Sequence, residues 1–152
     1  MIEFIQEQNV FIGEPLTSRK ETLHFISDKA EELGYTDDAY AVYEAFQERE
    51  KLGATGLLDG FAIPHAKSNV IQKPGVIVVK LKHELEWPSF DKQPIKAVIA
   101  LLAPVGDAGA DHIKMLSRFA VLLMRDSFRN DVSASNDAQQ IARLINEGLE
   151  TS

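Results

Sequence analysis

"VIVVKLKHELEWPSFDKQPIKAVIALLA", residues 76–103, holds the two segments that decide the fold. Val76 to Leu81 and Ala97 to Ala103 are short apolar runs containing β-branched residues. That pattern reads as two buried strands. The intervening "HELEWPSFDKQP" carries two prolines and scattered polar residues, and reads as a turn-rich connection.

Outward from this pair, the flanking segments read as helices. Toward the N-terminus, "NVFIG" is strand-like, and "TSRKETLHFISDKAEELGY" follows it. Ser18 and Glu21 have capping-box spacing, Leu23, Ile26, Ala30 and Leu33 recur at helical intervals, and Gly34 is placed to end the helix. A second helix is predicted from Asp37 or Asp38 to Leu52, with Gly53 after its end and Val42, Ala45 and Phe46 as its apolar face. Toward the C-terminus, Leu116, Ala120 and Leu123 predict a helix from about Asp111. Ile141, Leu144 and Ile145 predict another over about 135–147. Helices alternate with buried strands, so the class is α/β, with helices covering a small sheet.

Composition bounds the function. The 152 residues are 45% apolar and 26% charged, ordinary for one folded domain, with no repeat or Pro/Gly/Ser linker to divide it. No apolar run approaches the roughly 20 residues that span a bilayer. "MIEFIQEQNV" lacks the basic and apolar regions of a signal peptide, so the expected location is cytoplasmic, without membrane insertion. With no cysteine there is neither a disulfide framework nor a thiolate nucleophile. A net charge of −7 argues against nucleic acid as the partner. That leaves small molecules and other proteins.

Four histidines remain as chemistry: His24, His65, His83 and His112. None forms an HxxxH or HxxH pair, and no GxSxG, GxxxxGK[ST] or GxGxxG string occurs, so no metal or nucleotide cofactor is implied. His24 falls beside the apolar stripe of the first helix and His83 near a strand end; both read as surface or packing residues. His65, in "DGFAIPHAKS" (59–68), is different. Pro64 fixes its own φ and pushes Ile63 into extended backbone, so the ring is delivered from a stiff mount at a strand end. Position alone leaves two readings open: a ring satisfying buried partners, or a ring presented to a substrate.

Arg49 continues the stripe Val42, Ala45, Phe46 by one turn, which directs it inward at the end of its helix. It reads either as a cation that snorkels outward or pairs with Glu50, or as a planar donor fork for a phosphate. His112 shares a face with Met115, Leu116 and Phe119 and lies at a helix start, where free N–H groups favour an oxyanion. The competing reading is a histidine packed on apolar neighbours. Together the three suggest phosphoryl chemistry. A neutral imidazole is a competent nucleophile toward phosphorus, and the resulting P–N bond stays reactive enough to pass the group on. The oxygens in transit need the cationic and hydrogen-bonding groups that Arg49 and His112 can offer.

"ERE" at 48–50, the loop with Thr55, "GFAIPHAKS" at 60–68, "LEWPSFDKQPIKAVIALLAP" at 85–104 and "DHIKMLSRFAVLL" from Asp111 occur in that order. In this combination the chain resembles enzyme IIA of the sugar phosphotransferase system, fructose/mannitol class, over nearly its whole length. The resemblance implies a single domain over 1–152 built as a mixed β-sheet flanked by helices on both faces. It implies that His65 accepts a phosphoryl group, through Nε2, from the phosphohistidine of HPr, and passes it to a cysteine of enzyme IIB for sugar uptake. Arg49 and His112 match positions that stabilise the phosphoryl group, and Lys67 and Ser68 are candidate docking residues. The motif form is closer to fructose-type members. Nitrogen-type enzyme IIA relatives use a similar histidine to control partner binding, which is the alternative reading. The fructose-like motif and the lack of a fused output domain favour transport.

Overall fold

The computed structural model describes the backbone of residues 4–106 and 108–151, and the side chains of 4–106 and 114–150. A short 3-10 turn at Glu7–Asn9 leads into β1 (Val10–Glu14), followed by α1 (Arg19–Glu32) and α2 (Ala39–Lys51). Then come β2 (Phe61–Ala62), β3 (His65–Lys67), β4 (Gly75–Leu85) and β5 (Ile95–Ala103). Three helices close the chain: α3 (Ala108–Leu122), α4 (Asp126–Ala134) and α5 (Ala138–Thr151).

The two decisive segments form the centre of the sheet as β4 and β5, paired antiparallel with Val78 opposite Ile99. β1 lies outside β4 and parallel to it. β2 and β3 both lie outside β5 and parallel to it, Phe61 opposite Ala97 and His65 opposite Leu101. The sheet is therefore mixed, in the order β1-β4-β5-β2 with β3 continuing the β2 edge.

Alternation along the central strands divides the core in two. Val76, Val78, Ile99 and Leu101 face Phe119 and Leu122 of α3, Phe128 and Val132 of α4, and Ile141 and Ile145 of α5. Ile77, Val79, Val98, Ala100 and Leu102 face Leu23 and Ile26 of α1 and Val42 and Phe46 of α2. Helices on both faces explain why β4 and β5 read as unbroken apolar runs rather than alternating ones. Phe46 is fully buried, and its truncation to alanine costs about 3–5 kcal/mol at a site of this kind.

Most expected elements formed where their signals put them. Ser18 caps α1 by accepting the Glu21 N–H, and the Glu21 carboxylate accepts the Thr17 N–H. Asp38 caps α2 by accepting the Ala41 N–H, and Gly34 takes φ +86 after α1. The helix expected from Asp111 begins at Ala108, and the one expected from Ser135 begins at Ala138. α4 is an element the periodicity did not give, because its nine residues carry only Phe128 and Val132 as large apolar groups one turn apart. It is held by distant partners instead. Lys80 Nζ of β4 donates to the carbonyls of Val132, Ser133 and Ser135 at its C-terminal end, at 3.1, 2.9 and 2.6 Å, where a cation also suits the helix dipole.

Candidate functional site

The edge formed by β2 and β3 is broken at Ile63–Pro64. Ile63 N–H turns away from β5 to the Thr55 carbonyl at 2.9 Å, while the Pro64 carbonyl accepts Leu101 N–H at 3.0 Å. Proline has no N–H to give the ladder, so an edge strand is where it belongs. Immediately after this break β3 begins with His65, half-buried.

The contacts of Arg49 and Ile63 bear directly on the state of the imidazole. Arg49 Nε donates to His65 Nε2 at 2.7 Å, so Nε2 carries the lone pair and the ring proton is on Nδ1. There it reaches the Ile63 carbonyl at 3.1 Å. Burial holds the His65 pKa below the ordinary 6.5; the Ile63 carbonyl opposes that shift, the Arg49 charge adds to it, and the Glu50 charge opposes it. The ring is thus neutral at pH 7, with its nucleophilic electron pair on the nitrogen that faces a cation.

Arg49 is positioned by α2, on the stripe that buries Val42 and Phe46. Its Nη1 donates to the Gly53 carbonyl at 3.0 Å, just past the helix end. It neither pairs with Glu50 nor turns outward: it spans from the loop to the ring. His112 belongs to α3, in which Phe119 is buried and Met115 and Leu116 pack on the core. Its side chain lies outside the described residues, and with it the expected approach to His65.

The remaining candidates separate from the site. His24 stacks on Tyr43, ring centroids 3.6 Å apart, and His83 is exposed on β4. Lys67 is exposed, and Ser68 Oγ accepts Val70 N–H at 3.2 Å, which closes the turn after β3.

Sequence reasoning missed a buried polar cluster beside the ring. Glu50 accepts the Thr55 hydroxyl at 2.6 Å and Trp87 Nε1 at 3.1 Å, and Arg19 approaches it at 3.5 Å. Periodicity could not pair Glu50 with Trp87, 37 positions away in a segment read as a connection. Loop closure here relies on Gly56, where an added Cβ would lie 2.5 Å from the Pro88 carbonyl oxygen. Among the described residues no group of three His, Asp or Glu could hold a metal ion, and no helix is long and apolar enough to cross a membrane.

The mixed sheet clad on both faces is a fold shared with solved IIA proteins. The nitrogen regulatory protein IIA-Ntr of Neisseria meningitidis superposes with a TM-score of 0.85 at 22% identity, over 94% of this chain and 97% of that one. The IIA mannitol protein of Escherichia coli, in its complex with phosphorylated enzyme IIB, superposes with a TM-score of 0.79 at 18% identity, over 94% and 97%. Residues 3–148 match the family described as "Phosphoenolpyruvate-dependent sugar phosphotransferase system, EIIA 2". The chain belongs to that family and is a phosphotransfer carrier of its kind. Among its relatives, a nitrogen regulatory protein of Bradyrhizobium diazoefficiens is 40% identical over 130 residues, 86% of this chain and 84% of that one. A fructose-specific EIIA component of Haloferax volcanii is 28% identical over 141 residues, 93% and 91%.

Proposed function

We propose that His65 is the phosphoryl acceptor, that HPr is the donor, and that the phosphorylated state of this cytoplasmic protein governs a partner, as in nitrogen-type relatives. The observation that carries the chemistry is the neutral ring with its lone pair on Nε2, 2.7 Å from Arg49 Nε. In the transfer, that lone pair attacks phosphorus and the new N–P bond forms as the donor's N–P bond breaks. Arg49 cannot hold the lone pair and leave it free to react. It moves from the nitrogen to the phosphoryl oxygens, keeping its charge beside the group throughout. The proton stays on Nδ1 and is donated to the Ile63 carbonyl, which supports the positive charge that phosphorylation places on the ring. His112, on α3, is proposed as a second group toward the phosphoryl oxygens.

The 40% identity to a nitrogen regulatory protein favours the regulatory output. The second reading is delivery to an enzyme IIB in fructose uptake, favoured by the match to a fructose-specific component over 93% of the chain. Labelling from phosphorylated HPr tests the chemistry: wild type takes the label, and His65→Ala takes none. A normal labelling rate in His65→Ala would sink the assignment. Offering the phosphorylated protein to a set of IIB domains then separates the outputs. Transfer to one of them makes this a transport component; binding of another protein only in the unphosphorylated state makes it a regulator.

A further inference from the structure

Glu50 is buried beside the acceptor, yet the transfer just described gives it no task. It follows Arg49 on α2 and is turned about 100° from it around the helix axis. Its side chain is removed from water, with Thr55, Trp87 and Arg19 around the carboxylate. Partners of this kind make a buried carboxylate tolerable, but a well-packed apolar side chain would serve stability as well. Stability alone therefore gives no account of its presence.

The contacts beyond it do. Thr55, whose hydroxyl Glu50 holds at 2.6 Å, offers its own carbonyl to Ile63 N–H at 2.9 Å. The Ile63 carbonyl in turn accepts His65 Nδ1–H at 3.1 Å. A carboxylate, a hydroxyl and two backbone links thus lead in series to the ring nitrogen opposite the nucleophile. Trp87 completes the clamp from the other side, since its Nε1 donates to Glu50 and is shared with Thr55 Oγ1 at 3.3 Å. The backbone of the same segment is fastened to the same loop: Gly56 N–H donates to Pro88 O at 3.1 Å, and Phe90 N–H donates to Gly56 O at 3.0 Å. Pro64, between Ile63 and His65, removes the local freedom that would otherwise break the series.

We propose that Glu50 is a positioning residue for phosphoryl acceptance. By clamping Thr55 it fixes the Ile63 carbonyl, and so keeps the His65 proton on Nδ1 and the lone pair on Nε2. The inference rests on His65 being the acceptor, and its effect is on the tautomer and orientation of the ring. Outer hydrogen-bond partners that orient metal-ligating histidines act in the same manner, and their loss typically costs ten-fold or more.

The experiment uses the full chain with nitrogen-15 in its histidines. Ring nitrogen shifts of the unphosphorylated protein report the tautomer, and phosphorylated HPr supplies the transfer rate. Wild type is expected to hold the proton on Nδ1. Glu50→Gln and Thr55→Val are expected to give a mixture of tautomers and slow transfer on the order of ten-fold. Thr55→Ser, which keeps the hydroxyl, retains both properties. A folded Glu50→Gln or Thr55→Val protein with the native tautomer and native rate overturns the proposal. If Glu50→Gln does not fold, the contrast between Thr55→Val and Thr55→Ser decides it. Failure of wild type to accept the phosphoryl group instead overturns the reading of His65, while the tautomer measurement still tells whether the clamp exists.

Discussion

Both edges of the sheet are interrupted, and by different devices. At β1 the register with β4 slips between Ile12 and Glu14, where Gly13 takes φ +74 and a Cβ would meet nothing within 4 Å. At the opposite edge Pro64 breaks the strand, and the freed Ile63 N–H goes to a loop carbonyl rather than to β5. The glycine bulge bends an edge and discourages pairing with another chain. The proline break does that and more, because α2, the 53–57 loop and the Trp87 segment all bring polar groups to it. An interrupted edge becomes chemically useful when other elements converge on the gap with donors and acceptors.

Arg49→Gln strikes hardest at this difference. Removing the charge that donates to Nε2 should slow phosphoryl acceptance on the order of a hundred-fold, the usual loss for one preorganised donor. Quenched-flow labelling with phosphorylated HPr measures it, and a rate within two-fold of wild type would contradict the role. The ring itself gives the next largest signal. Burial lowers its pKa, so its titration by NMR should have a midpoint below 6.5. The sign for stability follows from proton binding. Between the folded midpoint and 6.5 the unfolded chain holds more protons, so this contribution is complete above 6.5 and is lost as pH falls through the folded midpoint. Arg49→Gln should move the midpoint upward and Glu50→Gln downward, because the two charges act on the ring in opposite directions. Equal shifts of the same sign would show that neither charge reaches it.

The smallest effect belongs to the other edge. Gly13→Ala places a Cβ on left-handed backbone and should cost about 1 kcal/mol, a fall of roughly 2–4 °C in Tm for a chain of this size. Transfer to His65 should be unchanged. A loss of transfer in a folded Gly13→Ala protein would mean that the two interruptions are coupled, and the contrast between them would fail.

Much of the site was legible because its residues lie on strong local patterns. Arg49 fell on the stripe of Val42 and Phe46, and the helix delivered it to the ring. Pro64 announced a stiff backbone before His65, and the break in the edge strand is that stiffness realised. What escaped was carried by charged and isolated residues that an apolar pattern does not mark. Glu50 lies one turn beyond Phe46 on the buried face of α2 but is a carboxylate, Trp87 lies among prolines, and Arg19 is in the first turn of another helix; only folding makes them neighbours. α4 escaped for a related reason, since its anchors are Lys80 on β4 and the core rather than its own sequence. The fructose-like impression of the motif region weighs less once the 40% identity to a nitrogen regulatory protein is set beside it.

By itself the sequence determined the buried central strands, the four helices with clear periodicity, and the stiff mount of His65. Each of these follows from interactions a few residues long: side-chain period, capping and the fixed φ of proline. Tertiary structure decided the order of the strands and the union of Glu50, Thr55 and Trp87. It also decided which nitrogen of His65 keeps the proton, because that depends on a guanidinium 16 positions away and on a carbonyl held by its own distant partners.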